Sequence, residues 1–171
     1  EDAWDYRKKI GYIENCRLVF GEADFLPALV IDKFGEYFVL QTLALGMDKW
    51  KDTIVEILNE LFSPKGIYER NDVPVRKLEG MEEQKGFLGK NFPTKITIEE
   101  NGLKFLVDIE NGQKTGFFLD QKENRLALEN IVKDAEVLDC FCHTGTFSIY
   151  AGHFGAKNVL GLDVSEEAIV L

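Results

Sequence analysis

The chain has 171 residues, of which 45% are hydrophobic and 12% aromatic, so it is long enough to bury a core as one domain or two small ones. Its 30 acidic and 20 basic residues give a net charge of −10, which argues against a surface built mainly to grip nucleic acid. It has no apolar run of membrane-spanning length, no signal-peptide pattern at its start, and too few cysteines for a disulfide framework. These features predict a globular protein of the cytoplasm.

Hydrophobic patterning divides the first part of the chain into strands and helices. The predicted elements are a short helix within 3–13, a strand at 17–20, a hairpin of 28–32 with 37–43, an amphipathic helix at 48–62 and a strand that starts at 66. The charged stretch 73–89 contains glycines and has little periodicity, so it predicts a loop-rich crossover. Strands that alternate with helices indicate an α/β fold.

A second hairpin follows. Segments 95–99 and 103–109 alternate apolar and polar residues around Asn101-Gly102. This dipeptide favours a tight hairpin turn, because both of its residues tolerate the positive φ that the turn requires. Residues 120–132 then carry apolar side chains at helical spacing and predict a helix.

One domain boundary is expected in the stretch 86–94. Gly89 and Pro93 bracket polar residues there, and no internal repeat or low-complexity tract suggests another boundary. The sequence therefore predicts a small α/β domain over 1–92 and a second domain over 93–171.

The second domain is organised around the stretch 137–147. An apolar run enters a turn of small residues, an amphipathic segment occupies 147–154, and a second apolar run over 158–162 ends at Asp163. This order predicts a βαβ unit. In such units a ligand binds at the carboxyl ends of the strands, and an acid about 20 residues after the turn can hydrogen-bond a ribose. Asp163 fits that role.

The turn contains one glycine, Gly145, and this distinguishes between nucleotide ligands. A dinucleotide pyrophosphate needs the pattern G-x-G-x-x-G so that the backbone can approach it closely, and the P-loop lysine is also missing. S-adenosylmethionine has a ribose but no phosphate, so it suits this turn better. A nicotinamide-dependent oxidoreductase is disfavoured, and a purely structural strand-turn-helix unit remains the alternative.

Two blocks carry a resemblance to a known family. They are Asp-Cys-Phe-Cys-His-Thr-Gly-Thr-Phe at 139–147 and the more specific Gly-Gln-Lys-Thr-Gly-Phe-Phe-Leu-Asp-Gln-Lys-Glu-Asn-Arg at 112–125. Together with the segments 21–24, 68–72 and 76–80 they resemble the S-adenosylmethionine-dependent cytosine-5 methyltransferases of large-subunit ribosomal RNA. The resemblance covers nearly the whole chain. The sequence departs from that family at Ala28, where a glycine is usual, and this weakens the prediction of a tight turn there.

The resemblance implies an α/β fold with a small α/β domain followed by the opening part of a Rossmann-like methyltransferase domain. In the family a small RNA-binding domain precedes these parts and the rest of the catalytic domain follows. The expectation is therefore a partial chain whose catalytic cysteine, the residue that attacks cytosine C6, lies beyond residue 171. RNA would be held mainly by parts outside this chain, and an exposed sheet edge suggests a homodimer.

Candidate cofactor residues come from both lines of reasoning. A loop flanked by Gly112 and Gly116 ahead of a helix concentrates N–H donors, which favours the cofactor carboxylate near Lys114 and Thr115. The resemblance adds further residues of the same block. The predicted set is Lys114, Thr115, Phe117, Gln121, Arg125, Asp139, Phe141, Cys142, His143, Thr144, Gly145 and Asp163.

Cys140, Cys142 and His143 also form a C-x-C-H pattern, which is a candidate metal site. No second cluster offers a fourth ligand, so we expect no zinc. Neither thiol has an assured base beside it, so we expect no catalytic residue in this chain. Cys140 is predicted to be buried and Cys142 to line the cofactor turn. The alternative to a methyltransferase is a non-catalytic interaction module on a Rossmann-like scaffold.

Overall fold

The computed structural model describes every residue from Glu1 to Leu171. The chain forms two compact units, Glu1–Leu119 and Asp120–Leu171. The helices are α1 (Asp2–Lys9), α2 (Leu45–Asp48), α3 (Lys51–Phe62), α4 (Val75–Leu78), α5 (Lys122–Ala127), α6 (Thr146–His153) and α7 (Glu166–Val170). The strands are β1 (Asn15–Phe20), β2 (Leu29–Phe34), β3 (Tyr37–Thr42), β4 (Gly66–Asn71), β5 (Gln84–Phe87), β6 (Lys95–Glu100), β7 (Leu103–Asp108), β8 (Glu136–Cys140) and β9 (Asn158–Leu162). None of these helices has the length and apolar character that crossing a bilayer would require.

The first unit is built on a five-stranded sheet in the order β1-β2-β3-β4-β5. Strands β3 and β4 are parallel and the other neighbours are antiparallel, so α3 makes the crossover that a parallel pair needs. The core combines side chains of both layers, namely Leu18, Val19, Leu29, Ile31, Phe38, Leu40, Leu58 and Ile67. The predicted hairpin of β2 with β3 and the amphipathic helix α3 are confirmed.

The stretch 73–89 is more ordered than its sequence predicts. It contains the short helix α4 and the strand β5, which pairs antiparallel with β4. Three of the four β5 residues are exposed, so the strand has no alternating pattern to reveal it. Its pairing partner, and not its own side chains, makes it a strand.

The hairpin of β6 and β7 is confirmed, with Asn101 at φ 52° and Gly102 at φ 80°. By its contacts it belongs to the first unit. Asn15 Nδ2, for example, donates to Glu99 O at 2.7 Å. The division between compact units therefore falls after Leu119, and not at the predicted domain boundary of 92/93.

The second unit contains the βαβ arrangement that the sequence predicts. Strands β8 and β9 pair in parallel, with α6 between them in the chain. The predicted helix 120–132 is not continuous, because α5 is flanked by tight 3₁₀ turns at Leu119–Gln121 and Leu128–Asn130. The mixed α/β class is confirmed.

Candidate cofactor-binding site

The register of the second sheet brings the predicted turn and the predicted acid to one edge. Asp139 pairs with Gly161 and Cys140 with Leu162, so both strands end at the same level. The Cys142 N–H then donates to Leu162 O at 3.0 Å, which ties the turn to the end of β9. The turn at 141–145 and Asp163 therefore lie together at the carboxyl edge, where α/β proteins bind ligands.

Two strand-end carboxylates hold this turn. Asp139 Oδ2 accepts hydrogen bonds from the Ser148 N–H at 3.1 Å and the Ser148 hydroxyl at 2.7 Å, in the first turn of α6. Asp163 Oδ2 accepts from the His143 N–H at 2.7 Å, and its Oδ1 accepts from the Ser165 N–H at 2.8 Å. An ionised carboxylate has about four acceptor positions, so Asp163 retains capacity for further donors.

The backbone of the turn is unusual for its composition. Phe141, His143 and Gly145 all have positive φ, at 63°, 51° and 72°, although only one of them is glycine. Such conformations in larger residues are costly, and they cluster at ligand-binding sites. The Phe141 ring is 85% exposed, so packing within the structure does not account for its position.

Gly161 lies beside the candidate turn and is not among the residues that the sequence predicts for the site. A Cβ at this position would lie 3.0 Å from Cys142 Sγ and 3.1 Å from Ser148 Oγ. The glycine in β9 lets the turn and the start of α6 pack this closely on the strand, and a Cβ would require these side chains to shift by a few tenths of an ångström. The available signal was a single small residue inside an otherwise apolar strand.

The titratable groups of the turn have shifted pKa values. Hydrogen bonds from the Ser165 and His143 N–H groups lower the pKa of Asp163. Burial lowers the pKa of His143, partly opposed by the Asp163 charge. Burial, together with the charges of Asp139 and Asp163, raises the pKa of the Cys142 thiol. At neutral pH the turn therefore combines the Asp163 carboxylate with a neutral imidazole and a protonated thiol.

The prediction that Cys140 is buried is wrong, because Cys140 is exposed, whereas Cys142 is buried. In β8 the side chain of Cys140 falls on the face that α6 does not cover, whereas Cys142 packs beneath the turn. No group of three or more His, Cys, Asp and Glu residues in the structure could hold a metal ion.

Two further candidates of the second unit lie at α5. Arg125 is fully buried, and its Cζ is 6.0 Å from the ring centroids of both Phe147 and Tyr150 of α6. Gln121 Oε1 accepts a hydrogen bond from Asn124 Nδ2 at 2.9 Å. Both contacts stabilise the second unit, and a direct part in cofactor binding stays a prediction.

The remaining candidates belong to the first unit. Thr115 is fully buried, and its hydroxyl donates to Asp32 Oδ2 at 2.6 Å. Phe117 is also buried, with its ring centroid 5.6 Å from that of Phe105. Lys114 has an exposed side chain, and its Nζ lies 4.5 Å from the Phe118 ring centroid. Their part in cofactor binding likewise stays a prediction.

Comparison with known proteins bears on this site. The sequence profile of a family described as S-adenosylmethionine-dependent methyltransferase matches residues 85–170, which is half of the chain. The ribosomal RNA large subunit methyltransferase I of Aliivibrio fischeri is 48% identical over 154 residues, which cover 90% of this chain and 39% of that protein. The chain thus spans about two fifths of this relative.

Solved structures with a similar fold are also described as methyltransferases. A protein of Streptococcus mutans described as an S-adenosylmethionine-dependent methyltransferase is 26% identical and superposes with a TM-score of 0.82, over 99% of this chain and 44% of that one. A second structure with the same identity, TM-score and coverage is described as a methyltransferase complexed with S-adenosylhomocysteine. The predicted cofactor is thereby confirmed at the level of the family.

Proposed function

Because the chain belongs to the S-adenosylmethionine-dependent methyltransferases, we propose that it serves methyl transfer from S-adenosylmethionine to large-subunit ribosomal RNA, at C5 of a cytosine. The name of the Aliivibrio relative supports the RNA acceptor, and the blocks at 112–125 and 139–147 support the cytosine position. We propose this activity for the protein to which the chain belongs, and the chain itself provides the turn that binds the cofactor.

The observation that carries the proposal is the pair of carboxylates around the turn 141–145. S-adenosylmethionine carries a sulfonium cation and a ribose, and it has no phosphate. Asp139 and Asp163 place negative charge beside the turn, which favours a cation and disfavours a pyrophosphate. The residues present therefore fit this cofactor better than a dinucleotide.

In this proposal the residues of the chain bind and orient the cofactor, which itself supplies an electrophilic methyl group. Asp163 accepts hydrogen bonds from the ribose hydroxyls with the acceptor positions that His143 and Ser165 leave open. The exposed Phe141 ring offers an apolar face to the adenine. Asp139 keeps the start of α6 fixed behind the turn.

Nucleophilic attack on the cytosine is a different task, and the buried thiols are poorly suited to it. Cys16 and Cys142 are both buried, and the raised pKa of Cys142 keeps it protonated at neutral pH. A thiol attacks as the thiolate. The proposal therefore assigns cofactor binding to this chain and does not assign the attack on cytosine to Cys16 or Cys142.

Calorimetric titration tests the proposal. S-adenosylhomocysteine should bind and NADH should not. Asp163→Ala should weaken the binding of S-adenosylhomocysteine by roughly 5- to 150-fold, since ribose hydroxyls lose their acceptor. Glu129→Ala removes an exposed acid of the same unit and should leave the affinity unchanged. Preference for NADH, or an unchanged affinity in folded Asp163→Ala, would contradict the proposal.

A further inference from the structure

Three aromatic side chains of α1, β1 and the turn that follows β1 are exposed to solvent. Phe25 is 91% exposed, and Phe20 and Tyr6 are each exposed by more than half. We call Tyr6, Phe20 and Phe25 the aromatic patch. All three belong to the first unit and lie apart in sequence from the cofactor turn.

Phe25 has a conformation that packing does not explain. It ends the 3₁₀ segment Gly21–Asp24 with φ 59° and ψ 25°, and its N–H donates to Glu22 O. A non-glycine residue in this left-handed region is strained, and here the side chain gains no burial in return. Glycine would be the easier choice for the turn alone.

Hydrogen bonds fix the turn that presents this ring. Arg7 Nη1 and Nη2 donate to the two Asp24 oxygens at 2.8 and 2.6 Å, and Asp24 Oδ2 also accepts the Phe20 N–H at 2.7 Å. The Leu26 N–H donates to Gly21 O at 3.0 Å. The backbone of the turn is therefore fixed at the surface, so binding to the patch requires little ordering of the main chain.

Guanidinium groups accompany the other two rings. Arg17 Cζ is 5.3 Å from the Phe20 ring centroid, and Arg7 Cζ is 5.4 Å from that of Tyr6. Arg7 and Arg17 also neutralise Asp24 and Asp32, with which they form close ion pairs. Asp5 pairs with Lys8 in α1, and Asp2 and Glu22 remain as exposed acids beside the exposed base Lys9, so the patch carries little net charge although the chain as a whole is acidic.

We propose that the aromatic patch stacks the bases of single-stranded RNA, with Phe25 as the main stacking residue. Exposed rings flanked by guanidinium planes are the surface that unpaired bases prefer. Local neutrality lets a phosphate backbone approach where the rest of this acidic chain would repel it. The inference rests on the proposed function for its choice of RNA over a protein partner, because that function requires an RNA substrate.

The test measures fluorescence anisotropy of a labelled oligoadenylate against the full chain. Phe25→Ala should weaken binding by about 5-fold or more, the range for loss of one stacked base. Phe25→Trp should retain the affinity. Phe25→Gly should lose the affinity for the oligonucleotide but raise the thermal midpoint of unfolding, because glycine relieves the backbone strain. If Phe25 served only the structure, affinity and thermal midpoint would not change in opposite directions. Leu78→Ala, which removes an 86% exposed side chain of the same unit, is the matched control and should bind like the wild type.

Several outcomes would overturn the inference. These are wild-type protein that does not bind the oligonucleotide, equal affinity in Phe25→Ala, or equal weakening in Leu78→Ala. Self-association that Phe25→Ala abolishes without affecting RNA would assign the ring to a protein contact. Titration of the same variants with S-adenosylhomocysteine separates the two proposals, because failure of cofactor binding contradicts the proposed function and leaves the RNA result standing.

Discussion

Each arginine of the chain is engaged within its own unit. Their partners are the carboxylates of Asp24, Asp32, Asp72 and Asp48 for Arg7, Arg17, Arg70 and Arg76, and the rings of Phe147 and Tyr150 for Arg125. Arginine suits this task because its planar group gives several donors in fixed directions. Arg70, for example, also donates to Ile109 O and Gly112 O. Replacement of these arginines by lysine would therefore not be conservative.

Acid should destabilise the first unit through the aspartates of these pairs. Burial alone would raise the pKa of Asp24, Asp48 and Asp72, but the neighbouring arginines, together with other hydrogen-bond donors and lysine charges, more than offset it, so each pKa lies below its ordinary value of 3.8. A carboxyl whose folded-state pKa is lowered contributes stability above its unfolded pKa, and loses it as the pH falls through the folded value. We expect the free energy of unfolding in urea to fall as the pH drops below about 4.

Asp48→Asn provides the control for this pH effect. Its stability should be lower at neutral pH and should decrease less on acidification, since one of the linked protons is gone. A wild-type free energy of unfolding that stays level down to about pH 3 would contradict the linkage.

The cysteines should differ in reactivity. Cys140 is exposed, whereas Cys142 is buried and has a raised pKa. Because the thiolate is the reactive form, iodoacetamide should label Cys140 first and Cys142 slowly, as followed by mass spectrometry of peptides. Cys140→Ser should leave only the slow phase. Equal labelling rates for Cys140 and Cys142 in folded protein would show that the turn opens readily.

At the scale of elements, the sequence predicts the structures that adjacent residues encode, and it does not predict a strand that depends on pairing with a distant segment. The β6–β7 hairpin follows from Asn101-Gly102 and the βαβ unit from its run of patterns, since each is encoded in adjacent residues. Strand β5 is not predictable from its own residues, because pairing with β4 makes it a strand. At Ala28 the absence of glycine weakened the prediction of a turn, yet Ala28 adopts φ 63° there.

The same distinction applies to the candidate site. The turn 141–145 and Asp163 were predictable from a motif and a spacing, and the structure places them together. The close approach that requires Gly161 and the buried hydrogen bond of Thr115 were not predictable, because each depends on residues far away in sequence. Glu69, Arg70 and Asn71 of β4 are buried for the same reason, since their partners come from other elements of the first unit.

Gly66 in β4 offers a test of packing between elements. A Cβ there would lie 2.1 Å from the Phe92 ring, which is stacked on Tyr37 at 4.7 Å and cannot move freely. Gly66→Ala should therefore destabilise the protein by about 1–3 kcal/mol in urea unfolding. Gly46→Ala meets no atom within 4 Å and lies in α2, so it should be neutral or stabilising. Similar losses in both variants would contradict the packing argument.

At the scale of the whole molecule, cofactor binding and methyl transfer should be separable. We propose that the chain carries the turn that binds the cofactor, but its buried thiols, Cys16 and Cys142, are unsuited to attack and its net charge of −10 gives little affinity for phosphates. The 171-residue chain alone should therefore bind S-adenosylhomocysteine without methylating RNA. The measurement is transfer of labelled methyl to ribosomal RNA from cells that lack the modification.

Turnover by the chain alone would show that its own residues suffice for catalysis. Cys140→Ser and Cys142→Ser would then identify a nucleophile, if either variant lost activity while still binding S-adenosylhomocysteine. Pairing of two copies through an exposed sheet edge stays a prediction, and sedimentation of the chain at increasing concentration tests it.

The hydrogen bond from Thr115 to Asp32 joins residues 83 positions apart, and it affects the order of folding. The hairpins of β1, β2 and β3 close short loops, so they can form early, whereas this bond closes a long one. During synthesis the N-terminal part of the chain emerges first. Asp32 can therefore pair with Arg17 in β1, but it cannot accept the Thr115 hydrogen bond until the segment after β7 has left the ribosome. A released chain that ends at residue 92 should therefore be cut by protease faster than a released chain that ends at residue 119.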